Sequence, residues 1–165
     1  MQDVDEGFTS YMAARWPAIV RSLVTLGCEP HEAEDVAQTA LARCYASWAR
    51  VSRADDVDAY VFRTVLNVWN KSRRRRWWGE RPVDVLPERL GGDDLAVVET
   101  RAAVERALGR LSPEHRAVLT LRYVADLSEQ QIARALGVPV GTVKSRAARA
   151  IQQMQQLGDL REELS

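Results

Sequence analysis

LSEQQIARALGVPVGTVKSRAARAIQQM, residues 127–154, carries the strongest local signals in the chain. It predicts two short helices around a tight turn. Ser128 stands where a helix cap is needed and Gln131 follows three residues on, the spacing of a capping box in which both satisfy orphan N–H groups of the first turn. Ile132, Ala133 and Leu136 give one apolar face. Gly137 takes left-handed backbone without steric penalty and ends the helix, and Pro139 stands where the next begins, its missing N–H costing nothing there. Two helices around so short a turn form a helix-turn-helix.

In the second helix Val143, Ala147, Ile151 and Met154 recur at four- and three-residue steps and point inward. At about 100° per residue, Gly141, Thr142, Lys144, Ser145, Ala148 and Arg149 fall towards the other side. That outward set is small or basic. Small residues allow close approach to base edges, while Lys and Arg donate to guanine and to phosphate oxygens. Taken alone, the segment also fits a helical hairpin with a solvated basic face.

The 165 residues, 46% hydrophobic, suffice for one domain or two small ones, and the scarcity of Gly and Pro favours helices. The formal net charge of zero argues at first against a nucleic-acid partner. The charge is nevertheless clustered: residues 98–165 carry 10 basic against 8 acidic side chains, and Arg73, Arg74, Arg75 and Arg76 stand in a row. Cys28 and His31 have a ligand-like spacing but no second pair of ligands, so the expectation is no metal and no cofactor, with Cys28 and Cys44 as buried or incidental thiols. No signal peptide and no apolar run of about 18 residues occurs, which points to a soluble, cytoplasmic protein without a membrane span.

A helical stripe runs from Phe8 to Leu26, with Pro17 as a kink or break and Gly27 closing it. A second helix is predicted from His31 to Ala49, with Ala33, Val36, Ala37, Ala40, Leu41, Cys44, Tyr45 and Trp48 inward. Its outward face carries Glu34, Asp35, Gln38, Thr39 and Arg43, and periodicity does not choose between a solvated face and a docking surface. Residues 50–58 read as a loop ending in an N-cap at Asp56 or Asp58. The next helix, 59–76, buries Val61, Phe62, Val65, Leu66 and Trp69. It leaves Arg63, Asn67, Asn70 and Arg74 on one polar stripe, and Arg and Asn are the side chains that best read base edges bidentately. It runs into the four arginines and Trp77-Trp78, where guanidinium groups can neutralise phosphates and indoles can pack or stack on bases; a solvated helix end is the plainer alternative.

GERPVDVLPERLGGD, residues 79–93, has no period and reads as a flexible linker. At about 3.3 Å per residue it reaches about 50 Å. Asp94 is placed to cap a helix through Leu111, and Ser112-Pro113 starts another that leads into the opening motif. The fold class is therefore all-α: two small helical domains, residues 1–78 and 94–165, joined by the linker.

Three blocks now resemble a known family. HEAEDVAQTALARCYASW, DAYVFRTVLNVWNKSRRRR and LSPEHRAVLTLRYVADLSEQQIARALGVPVGTVKSRAARA are similar, in that order, to the core-binding, promoter −10 and promoter −35 regions of extracytoplasmic-function (ECF) sigma factors of the sigma-70 family. The resemblance covers nearly the whole chain outside linker and tail. GTVKSR alone is shared with other helix-turn-helix regulators; the three blocks in this order are highly specific.

The resemblance implies a non-enzymatic factor that binds core RNA polymerase, through the clamp of the largest subunit and the beta flap, and directs it to promoter DNA. It implies that Asp35 and Gln38 dock on the clamp. The loop 50–58 with the start of the next helix corresponds to the element that captures a flipped −10 base, and Arg63, Asn67, Asn70 and Arg74 lie along the −10 helix. Pro139, Thr142, Lys144, Ser145 and Arg149 match the −35 contact positions. An anti-sigma factor is a common partner in the family. Thr39 stands where many members have an acidic residue, and Trp77-Trp78 look more like an actinobacterial, SigE-like subgroup. The alternative is a stand-alone helix-turn-helix transcriptional regulator, which binds duplex DNA unaided and would dimerise on a palindrome. Scattered carboxylates, two distant histidines and no Gly-rich phosphate loop leave an enzyme a distant third.

Overall fold

A computed structural model describes residues 1–79 and 95–163, and among these the only regular elements are helices. In chain order they are α1 (Gln2–Thr25), α2 (Pro30–Ala46), α3 (Trp48–Val51), α4 (Val57–Gly79), α5 (Leu95–Gly109), α6 (Pro113–Tyr123), α7 (Glu129–Leu136) and α8 (Val140–Glu163). The segment read as the linker, and the cap expected at Asp94, lie outside the described residues except for Gly79.

The first helix continues through Pro17, so of the kink or break expected there a break does not occur. Helix α2 ends three residues sooner than its periodicity predicts. Ser47 leaves helical backbone, at φ −122° and ψ 21°, and its N–H turns back to the Cys44 and Tyr45 carbonyls. The bend drives Trp48 inward, against Phe8 at 5.3 Å edge-on and Tyr11 at 5.4 Å. Trp48 is thus buried as its periodicity predicts, though in α3, whereas Tyr45, expected inward, is exposed with its hydroxyl donating to Asp5 at 2.6 Å. The predicted loop shrinks accordingly, since Arg50 and Val51 belong to α3.

Of the two N-cap candidates for α4, Asp56 is the cap: its Oδ1 accepts the Ala59 N–H at 3.0 Å. Asp58 is used differently. It accepts from the Tyr11 hydroxyl at 2.7 Å and from Arg15 Nε at 3.0 Å, tying α1 to α4. Burial and the Asp58 carboxylate push the Tyr11 phenol well above its ordinary range, so it stays a donor.

The local signals of the opening stretch are realised. Ser128 Oγ accepts the Gln131 N–H at 3.1 Å while Gln131 Oε1 accepts the Ser128 N–H at 2.9 Å. Gly137 sits at φ 68°, a left-handed conformation that favours glycine. Val143 and Ala147 are buried, joined by Ala150, which the stepwise pattern missed.

Two helical groups, α1–α4 and α5–α8, pack against each other. One hydrophobic core runs through both: Ile19, Leu23, Phe62 and Val65 from the first group share it with Val118, Leu121, Ile132 and Val143 from the second. The main seam is α4 on α7. A smaller cluster of Leu108, Leu111, Leu119 and Ala150 holds α5 and α6 to α8.

Candidate nucleic-acid interface

Because Val61, Phe62, Val65, Leu66, Val68 and Trp69 are drawn into the core, α4 turns its opposite side outward. Arg63, Asn67, Asn70 and Arg74 are all exposed on that side. On α8, burial of Val143, Ala147 and Ala150 likewise leaves Lys144, Ser145 and Arg149 exposed, with Thr142 half-buried. Pro139 lies one residue before the helix, and its carbonyl accepts from the Thr142 and Val143 N–H groups at 3.0 and 3.2 Å. Ser145 Oγ donates to the Thr142 carbonyl at 3.1 Å and must give up that bond to donate elsewhere. The Lys144 ammonium lies 3.9 Å from Glu129, a carboxylate shared with Arg122 at 3.6 Å. A pair so long and exposed is worth little and yields readily to a phosphate.

The two faces are not independent in this arrangement. Arg63 lines one groove together with Gln130, Arg134, Gly137, Pro139 and Val140, so the start of the α4 stripe looks onto the turn of the helix-turn-helix. Among the described residues, three hydrogen bonds join the two helical groups. Arg15 Nη2 donates to the Ala125 carbonyl at 3.1 Å, Arg116 Nε to the Thr25 carbonyl at 2.6 Å, and Gln131 Nε2 to Asp56 Oδ1 at 3.2 Å.

A second concavity lies at the entry to α4, lined by Ala49, Arg50, Arg53, Ala54 and Tyr60. Arg50 Nη2 donates to the Tyr60 hydroxyl at 3.3 Å. A phenol ring beside two guanidinium groups suits a nucleobase attached to a phosphodiester backbone. The sequence pointed to this segment but not to Tyr60, which occupies an ordinary α-helical position and is singled out only because the chain folds Arg50 and Arg53 into the same concavity.

Asp35 and Gln38 are exposed on α2, on one face with Glu34 and Thr39. Glu32, one turn earlier, is engaged instead with Ser72 at 2.9 Å and Arg76 at 2.8 Å. Cys28 and Cys44 are both buried and unpaired with each other, and no cluster of side chains able to hold a metal ion occurs among the described residues.

Known families fall on these two groups. The sigma-70 region 2 model matches residues 14–79, and the sigma-70 region 4 model matches residues 101–154. The RNA polymerase sigma-E factor of Streptomyces coelicolor is 36% identical over 162 residues, 95% of this chain and 85% of its own length. The ECF RNA polymerase sigma factor SigL of Mycobacterium tuberculosis is 32% identical over 160 residues, 92% of this chain and 88% of its own. The chain belongs to the ECF group of the sigma-70 family. Solved sigma factors share its fold. RpoE of Bartonella quintana, determined with the anti-sigma factor NepR, superimposes with a TM-score of 0.72 at 23% identity, covering 93% of this chain and 98% of that one. CnrH, determined with the cytosolic domain of CnrY, gives 0.70 at 22% identity over 94% and 90%. Among the described residues of this sigma factor, no helix is long and apolar enough to cross a membrane.

Proposed function

We propose that this sigma factor docks on core RNA polymerase through the α2 face at Asp35 and Gln38. The outward stripe of α4 then binds the −10 element, with the Arg50, Arg53 and Tyr60 concavity taking an extruded base. Lys144, Ser145 and Arg149, with Pro139 and Thr142, bind the −35 element. The observation that carries this reading is the pair of exposed, Arg-bearing helix faces, one in each of the two groups that match sigma-70 regions 2 and 4. The factor acts where the polymerase does, in the cytoplasm, and the polymerase supplies the catalysis.

The seam between α4 and α7 must open for this. Elements centred at −10 and −35 lie about 25 base pairs apart, about 85 Å of duplex at about 3.4 Å per base pair. Two faces whose residues line one groove cannot reach both. The segment between Gly79 and Leu95, about 15 residues and so able to extend to about 50 Å, lets the two groups part. The seam also suits control by a separate anti-sigma protein that holds the closed arrangement or covers the reading faces.

Run-off transcription with core polymerase and genomic promoter fragments is the test. A factor-dependent transcript is expected, together with weak DNA binding by the factor alone. A tight polymerase-independent shift of a palindromic fragment, without any factor-dependent transcript, would replace this reading with that of a stand-alone regulator.

A further inference from the structure

The polar stripe of α4 does not end at Arg74. Arg63, Asn67, Asn70, Arg74 and Trp77 follow at steps of four, three, four and three, so Trp77 is the fifth side chain on the same face. Its indole is 89% exposed, whereas Trp69 on the opposite side is 7% exposed. A single exposed apolar side chain is ordinary on a protein surface. Its neighbours set this one apart. Of the four consecutive arginines, Arg73 lies over the Trp69 ring at 4.8 Å and Arg76 pairs with Glu32 at 2.8 Å. Arg74 and Arg75 are exposed and make no ion pair among the described residues. The end of α4 therefore presents a bare indole on one face with the uncommitted Arg74 guanidinium, while Arg75, two residues before Trp77, points to the other side of the helix.

We propose that Trp77, with Arg74 at the end of the same stripe, forms a contact for the sugar–phosphate backbone of duplex DNA at the upstream edge of the −10 element. The proposal rests on the reading of α4 as the −10 helix. From Arg63 to Trp77 the helix rises about 21 Å at about 1.5 Å per residue, the span of about six base pairs. The direction follows from the chain order. The C-terminal end of α4 leads into the segment that reaches the −35-binding group, so it faces the upstream side. Beyond the melted element the DNA is paired, and the available partners are phosphates and the edges of deoxyriboses. Guanidinium groups neutralise the first, and a flat indole packs on the second while excluding water.

The test uses holoenzyme reconstituted from core polymerase and the full chain, with two versions of one promoter fragment: intact duplex, and duplex gapped on one strand over about six base pairs adjoining the upstream edge of −10. W77A is expected to weaken binding to the intact fragment roughly tenfold and to leave the gapped one unchanged, while W77F keeps most of the affinity. R74A should lower the salt dependence of log K by about one on the intact fragment. Equal binding of W77A and the parent to intact duplex, or an equal loss on both fragments, overturns the contact. R63A separates the two readings: it should lose affinity on both fragments, and if it loses on neither, the −10 reading of α4 fails itself. Trp77 is solvent-facing, so unchanged circular dichroism is expected for W77A.

Discussion

Gln131 Nε2 donates to Asp56 Oδ1 across 3.2 Å, and that carboxylate oxygen also accepts the Ala59 N–H at 3.0 Å. The cap of the candidate −10 helix and the capping box of the helix-turn-helix thus share one side chain from each group. Gln131→Glu keeps an acceptor for the Ser128 N–H, and so the box, but sets a second carboxylate against Asp56. Loss of the bond and like-charge repulsion should cost the closed arrangement about 1–2 kcal/mol. Small-angle scattering should then show a larger radius of gyration at unchanged helix content; an unchanged radius would mean that this bond does not hold the groups together.

Arg149 stands exposed on the outward face of α8. If it reads a base, Arg149→Ala should cost promoter binding by the holoenzyme about 1–3 kcal/mol and relax preference at one −35 position. Binding across a set of single −35 substitutions measures this, and an unaltered preference removes Arg149 from the contacts.

Gln38 is exposed on α2. Gln38→Ala should weaken association with core polymerase while melting temperature stays within about 2 °C of the parent, as for a surface substitution. Equal affinity for core would place the docking surface elsewhere.

Tyr60 and Arg50 meet at the mouth of the concavity beside α4. Tyr60→Ala should reduce affinity of the holoenzyme for single-stranded −10 oligonucleotides by about 1–3 kcal/mol, the usual worth of one stacked base, and Tyr60→Phe should retain most of it. Equal losses for Phe and Ala would assign the effect to the hydroxyl rather than to stacking.

Burial pushes the Cys28 thiol up, with the Glu32 carboxylate adding to the shift, and burial likewise raises Cys44. A raised pKa lowers the thiolate fraction at any given pH, so alkylation slows. Iodoacetamide at about pH 8 should leave both cysteines unlabelled in the native protein and label both in denaturant. Rapid native labelling of either would show that the chain around it opens locally.

The helices, their caps and the outward set on α8 were legible in the sequence because they rest on interactions between residues three or four apart. The Ser128–Gln131 box, the left-handed Gly137 and the α4 stripe are all of this kind. Boundaries set by distant partners were not. Trp48 ends α2 early because Phe8 and Tyr11 take its ring, and Asp58 serves α1 rather than capping α4 because Tyr11 and Arg15 reach it. Nor does any local pattern report that α4 and α7 share a core, that Arg63 and Pro139 line one groove, or that Tyr60 lines one concavity with Arg50 and Arg53. The sequence by itself determined what each helix can present to DNA. Which faces meet, which are covered and which stand free depends on side chains dozens of residues apart competing for the same apolar surface, and that was decided only by the tertiary structure.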